Sequence, residues 1–246
     1  MNSPNRIVTL VPSLTELLFD LGLGHRIVGR TRFCIHPQEQ VDKVPIIGGT
    51  KNPNLDKIRV LNPDLIIVNK EENRQEDVED LKKDFNVMVT EINTIDEALF
   101  AIHDIGWRCG VQEMAKELIS NVQNLMKGVP KEPKMTAAYF IWRDPWMSVG
   151  RDTYIHSVLD HWKFENVYAD EIRYPKTTLH ELSLKKPEVI FLSSEPYPFK
   201  EKHIKEVSDA CPGSNVVQVN GEWFSWYGSR MVHAFKNLNI FRRAIS

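Results

Sequence analysis

The sequence predicts an α/β protein of two lobes, each built on a mainly parallel sheet and joined by a long helix. Three observations predict it. Short β-branched apolar runs alternate with helix-patterned segments. The order of elements before residue 94 returns after Pro133. The stretch between the halves is helical, with no Ser/Gly-rich linker. The predicted division is 1–93 for the first lobe, 94–132 for the connecting helical segment and 133–246 for the second lobe.

Ile7 to Val11 is apolar, β-branched and bounded by Pro12, which predicts a buried strand. Ser13 with Glu16 three residues on reads as a capping box. Leu14, Leu17, Leu18 and Leu21 then share one helix face, and Gly22 supplies the stop. Ile27 to Gly29 is a short strand. Pro53 and Asn54 open a helix carrying Leu55, Ile58 and Leu61. Asn62-Pro63-Asp64 turns into the run Leu65 to Val68, continuous as a strand covered on both faces must be. A charged helix marked by Val78 and Leu81 leads to a strand at Val87 to Val89. Thr94 and Glu97 form another capping box. The pattern from Ile95 to Met126 is helical, with Gly106 and Gly110 as expected breaks.

The second half repeats this order. Thr136 to Ile141 is a strand. Ile155, Val158, Leu159 and Trp162 line one helix face. Thr178 and Glu181 cap a further helix. Leu184-Lys-Lys-Pro187-Glu188 enters the run Val189 to Leu192, as Leu61-Asn-Pro63-Asp64 enters its counterpart. A charged helix at Lys200 to Asp209, a strand at Val216 to Val219 and a helix at Arg230 to Arg243 complete it. This is a domain-level repeat rather than a solenoid. The expected ligand site of such a pair is the cleft between lobes, at the carboxyl ends of the strands.

Composition narrows the function. Of 246 residues, 31 are Lys or Arg and 33 Asp or Glu, for a net charge of −2. That balance provides no footprint for nucleic acid. No apolar run approaches the ~18–20 residues of a membrane span, so no membrane insertion is expected. The cysteines Cys34, Cys109 and Cys211 form no CxxC pair and read as reduced, buried thiols. Cys34 and His36 are too few for zinc, so no metal site is expected. GxSxG, GxxxxGK[ST] and GxGxxG are absent, and no catalytic residue is assigned.

The segments IVTLVPSLTELLFDLGLG (7–24), LNPDLII (61–67) and LKKPEVIFL (184–192) resemble those of the helical-backbone substrate-binding proteins that serve ABC importers of cobalamin, ferric siderophores and haem. VGRDTYIHSVLDHWKFENV (149–167) and GEWFSWYGSR (221–230) are similar to the cobalamin-binding branch. The resemblance spans nearly the whole chain. It implies Rossmann-like lobes, capture of a cobalamin-like corrinoid or related metal chelate, no catalytic cofactor, and an ABC-importer permease as partner. It implies a periplasmic or cell-surface location. The first residues carry neither a basic n-region nor an apolar h-region, so a cytoplasmic protein or enzyme of the same fold handling a corrinoid or tetrapyrrole stays open as the alternative.

Aromatics in strand-end loops suit a large conjugated ligand. Trp142 and Trp146 follow one strand, and Trp223, Phe224 and Trp226 sit in a Gly-flanked loop. Arg32, Phe33, the Gly48-Gly49-Thr50 turn, Asn69 and Tyr174 are the other expected wall residues. Trp162 is in phase with the core and is expected there. Glu71, Glu72 and Glu76 follow the first-half LIIV strand; Glu195 and Glu201 follow VIFL. Glu71 and Glu195 each lie eight residues past the matching proline. Helix N-termini favour carboxylates for local reasons. The resemblance implies a further role, docking on arginines of a two-fold permease, with the carboxylates at helix starts facing solvent.

Overall fold

A computed structural model describes residues 3–245. The chain divides into two units. One holds the residues up to Ile92, with Asp96–Val122 and Tyr227–Met231; the other holds Asn93–Ile95, Gln123–Trp226 and the residues from Val232 onward.

The first unit runs β1 (Ile7–Thr9), α1 (Pro12–Asp20), β2 (Ile27–Arg30), α2 (Gln38–Val41), α3 (Leu55–Leu61), β3 (Leu65–Asn69), α4 (Gln75–Leu81) and β4 (Val87–Thr90). Its sheet has the order β2-β1-β3-β4 with every pair parallel. All five residues of β3 are buried, because a central parallel strand is covered on both faces. On one face Val8, Leu10, Ile66 and Val68 pack with Ile58 of α3 and Val78 and Leu81 of α4.

Two helices of 15 residues each follow, α5 (Ile95–Cys109) and α6 (Gln112–Met126), where the sequence pattern predicts a shorter and a longer helix. The chain turns only at Gly110, whose φ is +75°. Gly106 stays helical, and its missing side chain is what lets Ala115 of α6 approach.

The second unit contains β5 (Met135–Phe140), β6 (Trp146–Met147), α7 (Tyr154–His161), β7 (Phe164–Asn166), β8 (Lys176–Thr177), α8 (Leu179–Lys185), β9 (Val189–Ser193), α9 (Glu201–Ala210), β10 (Asn215–Val219), α10 (Glu222–Ser225) and, from Val232 onward, α11 (Arg230–Ala244). Its main sheet is β10-β9-β5-β7, again parallel. Matching β1 to β5, β2 to β7, β3 to β9 and β4 to β10 gives the same strand order in both units. One face carries Ala138, Phe140, Ile190 and Leu192 with Leu182, Val207 and Cys211. The other is aromatic: Phe191 meets Phe164 at 4.9 Å and Phe241 at 5.8 Å between ring centroids. Trp162 is fully buried and donates its indole N–H to Asn239 Oδ1 at 2.9 Å. An antiparallel pair, β6 with β8, forms a separate two-stranded sheet.

The repeated Pro-acid element has the same job in each unit. Asn62 and Lys186 close α3 and α8 in the left-handed region, at φ 45° and 47°. The acid after the proline then reaches back to the start of the neighbouring strand. Asp64 accepts the amides of Asn5 and Arg6 at 2.9 and 3.0 Å. Glu188 accepts the amide and hydroxyl of Thr136 at 2.7 and 2.9 Å, and these bonds hold its carboxyl below the usual range.

Local chemistry behaves as expected at several termini. Asn54 caps α3 through Lys57 N, and Thr178 with Glu181 makes the capping box of α8. Ser13 does not cap α1. Pro12 takes the first helical position, so Val11 is the cap and Ser13 already lies inside the helix, buried. Glu16 is turned to Arg230 instead.

Candidate functional site

In the first unit, the loop after β2 brings Arg32 and Phe33 to the strand carboxyl ends. Phe33 is 53% exposed, with the Arg32 guanidinium 5.7 Å from its ring centroid. The Gly48-Gly49-Thr50 turn packs beside them: a side chain at Gly49 would meet the Phe33 ring at 3.3 Å and Arg32 Nη2 at 3.4 Å. Gly48 sits at φ +120°, where a Cβ would come within 2.6 Å of the Asn52 carbonyl. The turn is tied to the loop after β3. Asn73 donates to the Thr50 carbonyl at 3.0 Å, and Lys51 Nζ donates to the Glu71 carbonyl at 2.5 Å.

Asn69 is not part of this surface. It is buried, with its Oδ1 accepting the amides of Glu71 and Glu72 and its Nδ2 donating to Thr90. Its amide side chain shapes the loop after β3 from inside.

In the second unit, Trp142 is 40% exposed and its ring meets Tyr197 edge-on at 5.7 Å. Tyr197 in turn packs on Phe199, and Phe199 stacks on Trp146 at 5.7 Å with 14° between planes. Trp146 therefore belongs to the core, not to an open wall, because β6 turns it against Phe140 and Phe199. Arg143 is fixed over the Trp146 ring by Glu206, at 3.1 and 2.9 Å. Tyr174 is half-buried beside Arg173.

The aromatic loop 221–230 separates into distinct roles. Phe224 is fully buried on the aromatic face of the sheet, 5.0 Å from Tyr139 and 5.9 Å from Phe191, so its expected ligand role is replaced by a packing role. Trp226 is 9% exposed and donates its indole N–H to Glu195 Oε1 at 2.9 Å. Ser225 donates to the same oxygen at 2.9 Å. Trp223 remains half-buried, and its buried indole nitrogen makes no hydrogen bond. Within the first unit, the Tyr227 hydroxyl donates to Glu72 Oε1 at 2.8 Å, and Arg230 forks onto both oxygens of Glu16. Burial first, and the Glu72 charge second, push the Tyr227 phenol well above its ordinary pKa.

The five carboxylates also separate. Glu76 and Glu201 lie in the first turns of α4 and α9 and are exposed, Glu76 pairing with Arg74 at 3.1 Å. Glu71, Glu72 and Glu195 precede those helices and are half-buried. The expectation that all stand at helix starts facing solvent is corrected for these three. Among the described residues no group of three or more His, Cys, Asp or Glu could hold a metal ion. Cys34 accepts from the Thr15 hydroxyl at 3.0 Å, and burial pushes its thiol pKa up; Cys109 is pushed up by burial to about 11. Neither is poised as a thiolate.

The family model described as Periplasmic binding protein matches residues 7–210. The chain belongs to the periplasmic binding protein family. A relative of this family member, the uncharacterized ABC transporter substrate-binding lipoprotein YvrC of Bacillus subtilis, is 28% identical over 202 residues, covering 76% of the chain. The chain spans 63% of the length of that relative. The vitamin B12-binding protein of Vibrio cholerae is 24% identical over 194 residues, covering 76% of the chain and 70% of the relative. Among solved structures, the periplasmic vitamin B12 binding protein BtuF of Vibrio cholerae superposes with a TM-score of 0.84 at 21% identity, over 98% of both chains. The apo periplasmic heme-binding protein RhuT of Roseiflexus sp. RS-1 gives 0.83 at 20% identity, over 100% of both. These likenesses establish the two-lobe α/β fold.

Sequence reasoning missed the pairing of Glu16 with Arg230 and of Tyr227 with Glu72 in this periplasmic binding protein. Glu16 and Arg230 are 214 residues apart, and Tyr227 and Glu72 are 155 apart, so no local pattern announces either contact. Tyr197 was also passed over, although its place in SSEPYPFK, just past a strand end, is the same signal that marks Trp142.

Proposed function

We propose that this protein captures a cobalamin-like corrinoid, or a related metal chelate such as a siderophore or haem, and delivers it to an ABC-importer permease. Family membership supports a binding role. The observation that carries the ligand class is an exposed aromatic patch at the strand carboxyl ends of each unit: Phe33 with Arg32 in the first, and Trp142 seated on Tyr197 in the second. Flat rings bordered by guanidinium groups match a conjugated macrocycle with a polar rim. Trp223 and Tyr174 extend the same reading. The ligand is carried unchanged, with no catalytic cofactor. Docking runs through Glu76 and Glu201, whose carboxylates are exposed. The same reading places the protein outside the cytoplasmic membrane, in the periplasm or at the cell surface; fractionation of the source cells checks this, and a purely cytoplasmic pool supports the corrinoid-handling alternative.

The test is titration with cobalamin, cobinamide, haem and a panel of ferric siderophores, followed by tryptophan quenching and calorimetry. The expected result is quenching by one of them with a sub-micromolar Kd, equivalent to more than ~8 kcal/mol. No quenching and no heat with any of them refutes the reading.

A further inference from the structure

Glu195 and Glu72 hold neighbouring residues of one loop. Glu195 Oε1 receives both the Ser225 hydroxyl and the Trp226 indole, each at 2.9 Å, within the second unit. Glu72 Oε1 receives the Tyr227 hydroxyl at 2.8 Å within the first. The chain passes from one unit to the other between these two residues. Hydrogen bonds to an ionised acceptor are roughly twice as strong as neutral ones and are directional. The loops carrying the two carboxylates are themselves built alike. Asn69 Oδ1 accepts the Glu71 amide at 2.9 Å, and Ser193 Oγ accepts the Glu195 amide at 3.4 Å, each from the last residue of its strand. Gly221 is required at the loop's entry, because a side chain there would come within 2.5 Å of both Glu195 Cγ and Ser193 Oγ.

We infer that Glu195 and Glu72 are positioning residues, one setting the Trp226 indole and the other the Tyr227 phenol, and that together they fix the loop presenting Trp223. This rests on the reading of that loop as ligand-facing. It assigns these carboxylates a task inside the binding protein rather than on a permease. Burial of Trp226 and Tyr227 keeps water from competing for either bond, so the loop holds its conformation before any ligand arrives.

The experiment compares Glu195→Leu, Glu195→Gln, Glu72→Leu and Glu72→Gln in the full chain. In the ligand-free protein, the Trp226 indole N–H resonance, assigned with Trp226→Phe, shifts upfield and exchanges faster in Glu195→Leu. Glu195→Gln, which keeps an acceptor, restores most of the shift. Hydrogen exchange over residues 221–231 rises in both Leu variants and returns toward wild type in both Gln variants. Cobalamin or haem affinity falls about tenfold or more in the Leu variants, which lose one carboxylate bond at Glu72 and two at Glu195, and recovers in part with Gln, which keeps an acceptor without the charge. An unmoved indole resonance together with unchanged exchange overturns the inference. So does a moved resonance with unchanged affinity for a chelate the wild type binds. If the wild type binds no chelate, the function proposed above falls, while the indole and exchange signals still uphold or overturn the positioning of the loop.

Discussion

Replacing Arg230 by Met strands the carboxylate of Glu16. The two side chains are 16% and 12% exposed, and the guanidinium forks onto both carboxylate oxygens. Removing one partner of a buried pair costs about 3–5 kcal/mol, and the residual access to water here brings the expected loss to about 2–3 kcal/mol. The loss depends on pH. Burial already raises the Glu16 pKa above 4.5 despite the opposing pull of Arg230. Without Arg230 it rises further. A carboxyl raised in the folded state contributes stability that is present at low pH and lost as pH climbs through its folded value. Arg230→Met therefore costs little near pH 4.5 and its full amount at pH 8. Glu16→Leu with Arg230→Met recovers most of the loss, because no charge is left buried alone. Urea midpoints at pH 5 and pH 8, followed by circular dichroism, measure all three. A single-variant loss below about 1 kcal/mol at pH 8, the scale of an exposed pair, or a double variant no more stable than the single, refutes the reasoning.

Trp146→Ala is expected to cost about 3–5 kcal/mol of stability through loss of its Phe140 and Phe199 contacts, whereas Trp142→Ala leaves the urea midpoint near wild type and weakens chelate binding by about 0.5–1.5 kcal/mol. Equal effects of the two on both assays contradict that division. Gly48→Ala is expected to destabilise by more than about 1 kcal/mol, since its φ is positive and its Cβ meets the Asn52 carbonyl; a neutral midpoint argues against the turn geometry. His203 accepts the Lys200 amide at Nδ1, 2.9 Å, and burial, then nearby Lys202 and Arg143, press its pKa below 6.5. A base depressed in the fold protonates more readily when unfolded, so its stabilisation is full above 6.5 and lost as pH falls toward the folded value. Stability is thus expected to fall from pH 7 to pH 5 less steeply in His203→Gln, and an unaltered slope rejects the role.

The repeated strands were legible because a parallel strand covered on both faces needs an unbroken apolar run, as in 65–68 and 189–192. The turns before them were legible because proline and its preceding residue restrict the backbone at 63 and 187. The division of aromatics was not legible. Trp146 and Trp142 both follow β5, and only the pairing of β6 with β8 turns one inward. A two-residue strand leaves no periodicity to read. Phe224 and Trp223 are neighbours in sequence with opposite fates, decided by the rings of Tyr139 and Phe191. Ser13 carried a capping signature that Pro12 overrode, and Glu16 was claimed by a residue near the far end of the chain.

That last contact bears on biosynthesis. The first unit includes Tyr227–Met231, so it is completed by a segment made after every strand of the second unit's sheet. Glu16 and Arg230 are separated by 214 residues. At about 5–20 residues per second, the arginine emerges about 10–40 s after the glutamate it neutralises. Throughout that interval the nascent amino-terminal half holds its sheet but lacks its finishing strap, and Glu16 meets water where it will later meet Arg230. A chain stopped before residue 227 lacks α11 of the second unit and also the segment that completes the first, so a truncation there injures both units, the one made first included.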